Sequence, residues 1–140
     1  VETTNTIKDL EVGQQASFTK TITEAEVVNY AGVTGDFNPA HVNEEFAQQT
    51  MFKGRIAHGM LGAGLISAVL GTKLPGPGAI YISQNLQFKA PVQFEDTITA
   101  TVTVKEKKEA KNRVIMETKC TNQKDKEVIT GQAVLMPPKE

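Results

Sequence analysis

The sequence runs to 140 residues, 39% hydrophobic and 22% charged, an ordinary composition for one soluble globular domain with a buried core. Fifteen basic residues against sixteen acidic ones leave a formal charge of −1, so the chain carries no broad electrostatic footprint for nucleic acid. The single cysteine, Cys120, excludes an intramolecular disulfide and a cysteine-rich zinc site, and it suits a reducing cytoplasm.

The N-terminal segment "VETTNTIKDLE" lacks the basic start and apolar stretch of a secretory leader, which points to a cytoplasmic protein. "ASFTKTI", Ala16 to Ile22, reads as the first strand. Thr23, followed three residues later by Glu26, is a capping-box signature that opens a helix. Val27, Tyr30 and Ala31 lie at helical spacing behind it. Gly32 and Gly35 can end that helix, which leaves Asp36 just beyond its C-terminus.

There stands "GDFNPAHVN", Gly35 to Asn43, with one of the chain's two histidines. Asp36 and His41 would be roughly 140° apart on a helix, so they are not helical neighbours. Pro39 pushes Asn38 out of the α region, and Asn-Pro favours a turn. A turning loop can aim both side chains at one point. A carboxylate and an imidazole there can share a water and do general acid–base work, because histidine is readily poised near neutral pH. The spacing alone does not establish a dyad and fits better a turn-stabilising Asp beside a buried His. No HxH or HxxxH pair is present, so a metal site is not expected.

Asn43 can cap a short helix whose first turn carries Glu44 and Glu45. "MLGAGLISAVLG", Met60 to Gly71, is too short to span a bilayer and reads as a buried helix. Its apolar residues cover most of the circumference, which predicts a helix wrapped by other structure. Gly62 and Gly64 make sense there if another backbone or a ligand comes close. "LPGPG", Leu74 to Gly78, breaks the helical part. Beyond it the period becomes two. Ile80, Ile82, Leu86 and Phe88 share a face opposite Tyr81, Gln87 and Lys89. Ile98, Ala100, Val102 and Val104 alternate with threonines, and Val114, Met116 and Cys120 share a face. "EVITGQAVLM" is a last strand. These read as half-buried antiparallel strands around the apolar helix, an α+β layer architecture in one domain over 1–140.

"GDFNPAHVN", then "FKGRIAHGML", then "GLISAVLG", then "LPGPGAIYISQNLQFKAPVQFEDTITATVTV", in that order, resemble the MaoC-like (R)-specific enoyl-CoA hydratases. The recognisable motifs run from about Thr23 to Val104. The resemblance implies a hot-dog fold, in which a curved antiparallel sheet wraps a long central helix, and a homodimer. It implies reversible hydration of trans-2-enoyl-CoA to (R)-3-hydroxyacyl-CoA without metal or cofactor; CoA is part of the substrate. Asp36 and His41 would be the water-activating dyad, and the backbone N–H of Gly59 the oxyanion donor. Asn38 would support the dyad or serve only the Asn-Pro turn, Ser67 would support the dyad or bond back to its own helix backbone, and His58 would serve structurally where the helix begins. Leu65, Val69 and Leu70 are expected to shorten an acyl pocket and favour crotonyl-CoA. Lys53, Arg55 and Lys89 are candidate phosphate contacts for CoA, and equally ordinary surface residues.

A dehydratase acting on acyl carrier protein would use the same chemistry on another handle. A hot-dog thioesterase would not require the Asn-Pro-x-His continuation. A non-catalytic acyl-CoA-binding module would not be expected to keep both Asp36 and His41.

Overall fold

The computed structural model describes residues 4–140. Val1 to Thr3, part of the expected 1–140 domain and of the segment read for a leader, lie outside the described residues. The elements are β1 (Gln15–Thr21), α1 (Glu24–Thr34), α2 (Pro39–Val42), α3 (Glu44–Gln48), α4 (Gly59–Thr72), β2 (Ile80–Phe88), β3 (Thr97–Lys108), β4 (Arg113–Thr121) and β5 (Glu127–Met136). The strands form one antiparallel sheet in the order β1-β3-β4-β5-β2. Register shifts at Tyr81/Ser83, Val104/Glu106 and Cys120/Thr121 bend it. This is the α+β arrangement expected from the switch in period.

The capping box forms as read. The Thr23 N–H donates to Glu26 at 3.0 Å, and the Glu26 N–H donates to Thr23 Oγ1 at 3.3 Å. α1 runs through Gly32 and stops at Gly35, whose φ of 82° is left-handed and suits glycine.

Leu65, Ile66, Val69 and Leu70 of α4 pack against Ile98, Ala100, Val102, Val104, Val114, Met116 and Cys120 on the inner face of the sheet. Gly62 is where the two layers come closest: a Cβ there would meet Ile129 Cδ1 at 2.6 Å. Gly64, by contrast, has nothing within 4 Å of such a Cβ. The sheet therefore wraps α4 on its Gly62 side, as expected, and leaves the Gly64 side open. Met60, Gly64, Ser67 and Gly71 form an exposed stripe, because small residues dilute the apolar pattern on that side.

β2 also departs from its expected alternation. It is an edge strand, a bulge interrupts its faces, and Ile80, Tyr81, Ile82 and Phe88 stay 40–52% exposed. β2 is held to β5 at Gly131, where a Cβ would lie 2.1 Å from the Asn85 carbonyl oxygen. That oxygen is backbone and cannot swing aside. Gly131→Ala is expected to destabilise the fold by about 1–3 kcal/mol, the range for an overpacked site. Thermal unfolding measures it, and an unchanged midpoint would show that β2 and β5 can separate freely.

Candidate active site

The loop that follows α1 folds by local side-chain bonds. Thr34 Oγ1 accepts the Asp36 N–H at 3.1 Å, Asp36 Oδ1 accepts the Asn38 N–H at 3.2 Å, and Asn38 Oδ1 accepts the Ala40 N–H at 3.0 Å. Asn38 is thus the N-cap of α2 and Pro39 its first residue, the position where proline is most readily accepted. His41 therefore sits on a one-turn helix rather than in open loop. Asn38 serves the turn and the cap, and its contact to Asp36 runs through its own backbone.

His41 is 9% exposed. Its Nδ1 lies 2.7 Å from the Ile56 carbonyl oxygen. A carbonyl only accepts, so Nδ1 carries a hydrogen, and in the neutral ring the lone pair is on Nε2. That is the tautomer a base at Nε2 needs. The Asp36 carboxylate is exposed and lies in the same cavity as His41. One ligand-type atom from each of Asp36, His41 and His58 falls within 4.8 Å of the other two, a span that one water bridges with ordinary hydrogen bonds.

Spacing along the chain could not show that His58 joins this group. Its ring lies against His41 with centroids 3.9 Å apart and 30° between planes, and against Tyr30 at 4.6 Å with 54° between planes. Asp36 and the Nε2 side of His41 suit a shared water.

His58 caps α4, and Gly59 is its first residue. The amide of Gly59 is at the positive end of a 14-residue helix, where N–H groups have no intrahelical partner. Phe88 lies against this glycine: a Cβ would meet the Phe88 ring at 2.8 Å. The cavity holding Asp36, His41, His58 and Gly59 has a volume near 620 Å³ and is also lined by Tyr30, Met60, Phe88 and Lys89.

A second cavity of about 550 Å³ shares Tyr30 and Met60 with the first and runs along α4 past Gly64 and Ser67 to Tyr81 and Gln84. Ser67 belongs to this second space and makes no hydrogen bond to the dyad among the described residues. Leu65, Val69 and Leu70 line neither cavity. They are turned into the sheet and at most 8% exposed, so the expectation that they line the acyl pocket is corrected; any influence on substrate passes through packing. Tyr30, Met60 and Phe88 line the space instead. Only their final placement reveals this, since Tyr30 reads as an ordinary helix position and Phe88 as a strand position.

Arg55 is also reassigned. It pairs with Glu24 and, at 3.3 Å, with Glu44, and its guanidinium lies 4.8 Å from the Phe94 ring centre. It ties α1 and α3 together through Nε and Nη2, which commits most of its donors to carboxylates. Lys53 is exposed, and Lys89 lines the cavity; both remain available for an anion. Cys120 is no nucleophile, since burial pushes its thiol up to about 12 and keeps it protonated.

A family model described as "MaoC like domain" matches residues 8–126. A protein of Rhodospirillum rubrum named (R)-specific enoyl-CoA hydratase is 57% identical over 131 residues, covering 94% of this chain and 90% of its own. A Methylorubrum extorquens protein named 3-hydroxybutyryl-CoA dehydratase is 47% identical over 133 residues, covering 95% of this chain and 84% of its own. Among solved structures, an unliganded R-hydratase of Pseudomonas aeruginosa superposes with a TM-score of 0.90 at 47% identity, covering 96% of this chain and 86% of that one.

Proposed function

The chain belongs to the MaoC-like family and has its hot-dog fold, and on that premise we infer that it is a hydro-lyase, an (R)-specific enoyl-CoA hydratase. It adds water to trans-2-enoyl-CoA to give (R)-3-hydroxyacyl-CoA, reversibly. The observation that supports this chemistry is that Asp36, His41 and Gly59 line one cavity, with Gly59 opening α4.

The proposed mechanism assigns a step to each. Asp36 and His41 hold the water. Nε2 of His41 takes its proton as the oxygen bonds to C3, and the pair returns a proton to C2. Negative charge then gathers on the thioester oxygen, and the Gly59 N–H at the helix terminus meets it. A proton and a hydroxyl move with no net redox change, so the reaction calls for no cofactor. Short acyl groups are the expected substrates, supported by the four-carbon substrate in the name of the Methylorubrum relative. CoA is the handle in this reading, with Lys89 and Lys53 as its phosphate contacts.

A homodimer is part of the proposal. β2 leaves an open edge with Ile80, Tyr81 and Ile82 exposed, and a second copy would cover both this edge and the cavity beside it. Among the described residues no helix is long and apolar enough to cross a membrane, and a cytoplasmic location is proposed with the rest.

Incubation with crotonyl-CoA tests the reading. Loss of the conjugated enoyl absorbance without release of free thiol, with the (R) alcohol on chiral analysis, is the expected result. Thiol release would make the protein a thioesterase. An (S) product would overturn the stereochemical assignment, and activity confined to the acyl-carrier-protein thioester would change the handle.

A further inference from the structure

His58 is 3% exposed, and its Nδ1 is buried with no protein hydrogen-bond partner among the described residues. An unpartnered buried nitrogen is destabilising and calls for a reason. Phenylalanine would stack between Tyr30 and His41 as well and leave no orphan. What phenylalanine cannot supply is the other nitrogen. Nε2 of His58 lies 2.9 Å from the Asp36 carbonyl oxygen, across 22 residues of sequence. The carbonyl accepts, so Nε2 carries a hydrogen.

Resting on the hydratase reading, we propose that His58 is the positioning residue of the dyad. From the start of α4 it holds both members at once: its Nε2–H pins the peptide carbonyl of Asp36, and its ring face sets the plane of His41. Asp36 otherwise depends on a loop braced, among the described residues, by local bonds to Thr34 and from Asn38. His41 is fixed at one edge by the Ile56 carbonyl, which leaves rotation about that bond to be stopped by the stack. Gly59 follows His58 directly in the chain. The same residue therefore also registers the dyad against the oxyanion N–H, so the water and the thioester oxygen are held on one rigid element. Misplacement by about 1 Å in such a constellation lowers rate by about a hundredfold.

Two variants divide the contacts. His58→Gln keeps an N–H near the Nε2 position and loses the ring. His58→Phe keeps the ring and loses the donor. Each is expected to lower kcat for crotonyl-CoA by about tenfold or more with KM within about twofold, because the chemistry and not binding depends on the alignment. Each loss should shrink towards nothing when the variant is combined with Asp36→Asn, since a residue that acts through Asp36 has nothing left to align. Full kcat in both variants would overturn the proposal. So would losses that add undiminished to that of Asp36→Asn, or losses that appear as a raised KM. Circular dichroism and thermal unfolding identify a variant that fails to fold, and the other variant then carries the cycle. Inactivity of the wild-type protein on enoyl thioesters would instead sink the hydratase reading itself.

Discussion

His41→Gln and Asp36→Asn are each expected to lower kcat for crotonyl-CoA hydration by at least about two orders of magnitude, the range that a general acid or base supplies. For His41 the reason is the fixed tautomer. The Ile56 carbonyl commits Nδ1–H, so the only lone pair offered to water is Nε2, and a glutamine amide brings no base there. Asp36→Asn is the sharper experiment. The asparagine side-chain oxygen can still accept the Asn38 N–H that Asp36 Oδ1 accepts now, so the turn persists. Loss of activity with an unchanged thermal midpoint then reports lost chemistry and not a lost loop. The double variant should fall little below the worse single one, because groups that act on one water fail together. Full activity in either single variant would remove that residue from the mechanism.

The parts legible in the sequence are those governed by local rules. The capping box at Thr23, the left-handed stop at Gly35, the cap at Asn43 and the even–odd pattern from Ile98 to Cys120 each rest on neighbours within a turn or a strand, and each is found. The errors share a different cause. Leu65, Val69 and Leu70 were legible as apolar, but not as facing the sheet, because the glycines on α4 blur which side is which. Arg55 could not be told from a free cation until folding brought Glu24 and Glu44 beside it. β2 looked half-buried because its apolar residues alternate, yet it stands at an edge with a bulge in its register. His58 is the most instructive case. Its partners, Asp36 and His41, lie 22 and 17 positions away. Motif spacing carried the name of the family and left out the contact.

Gly59→Pro is expected to lower kcat by about two to three orders of magnitude, the loss that follows removal of an oxyanion donor, while leaving the fold intact. The fold should tolerate it because Gly59 is the first residue of α4 and His58 before it has φ −62° and ψ 135°. Proline is favoured at that helix position, and the residue preceding a proline prefers that extended region. Proline, however, adds carbon as well as removing the N–H, and any Cβ at this site meets the Phe88 ring at 2.8 Å. Gly59→Ala is the control. It makes the same collision with Phe88 and keeps the N–H. The ring is a side chain with room to move on its 52% exposed side, so alanine should lose much less. The ratio of the two variants isolates the donor from the crowding. Equal losses would mean that the thioester oxygen is stabilised elsewhere and that Gly59 is present only to let Phe88 lie close. A large deficit in proline alone, with KM nearly unchanged, would place the developing charge at this one amide, because a donor felt only in the transition state alters kcat and not binding.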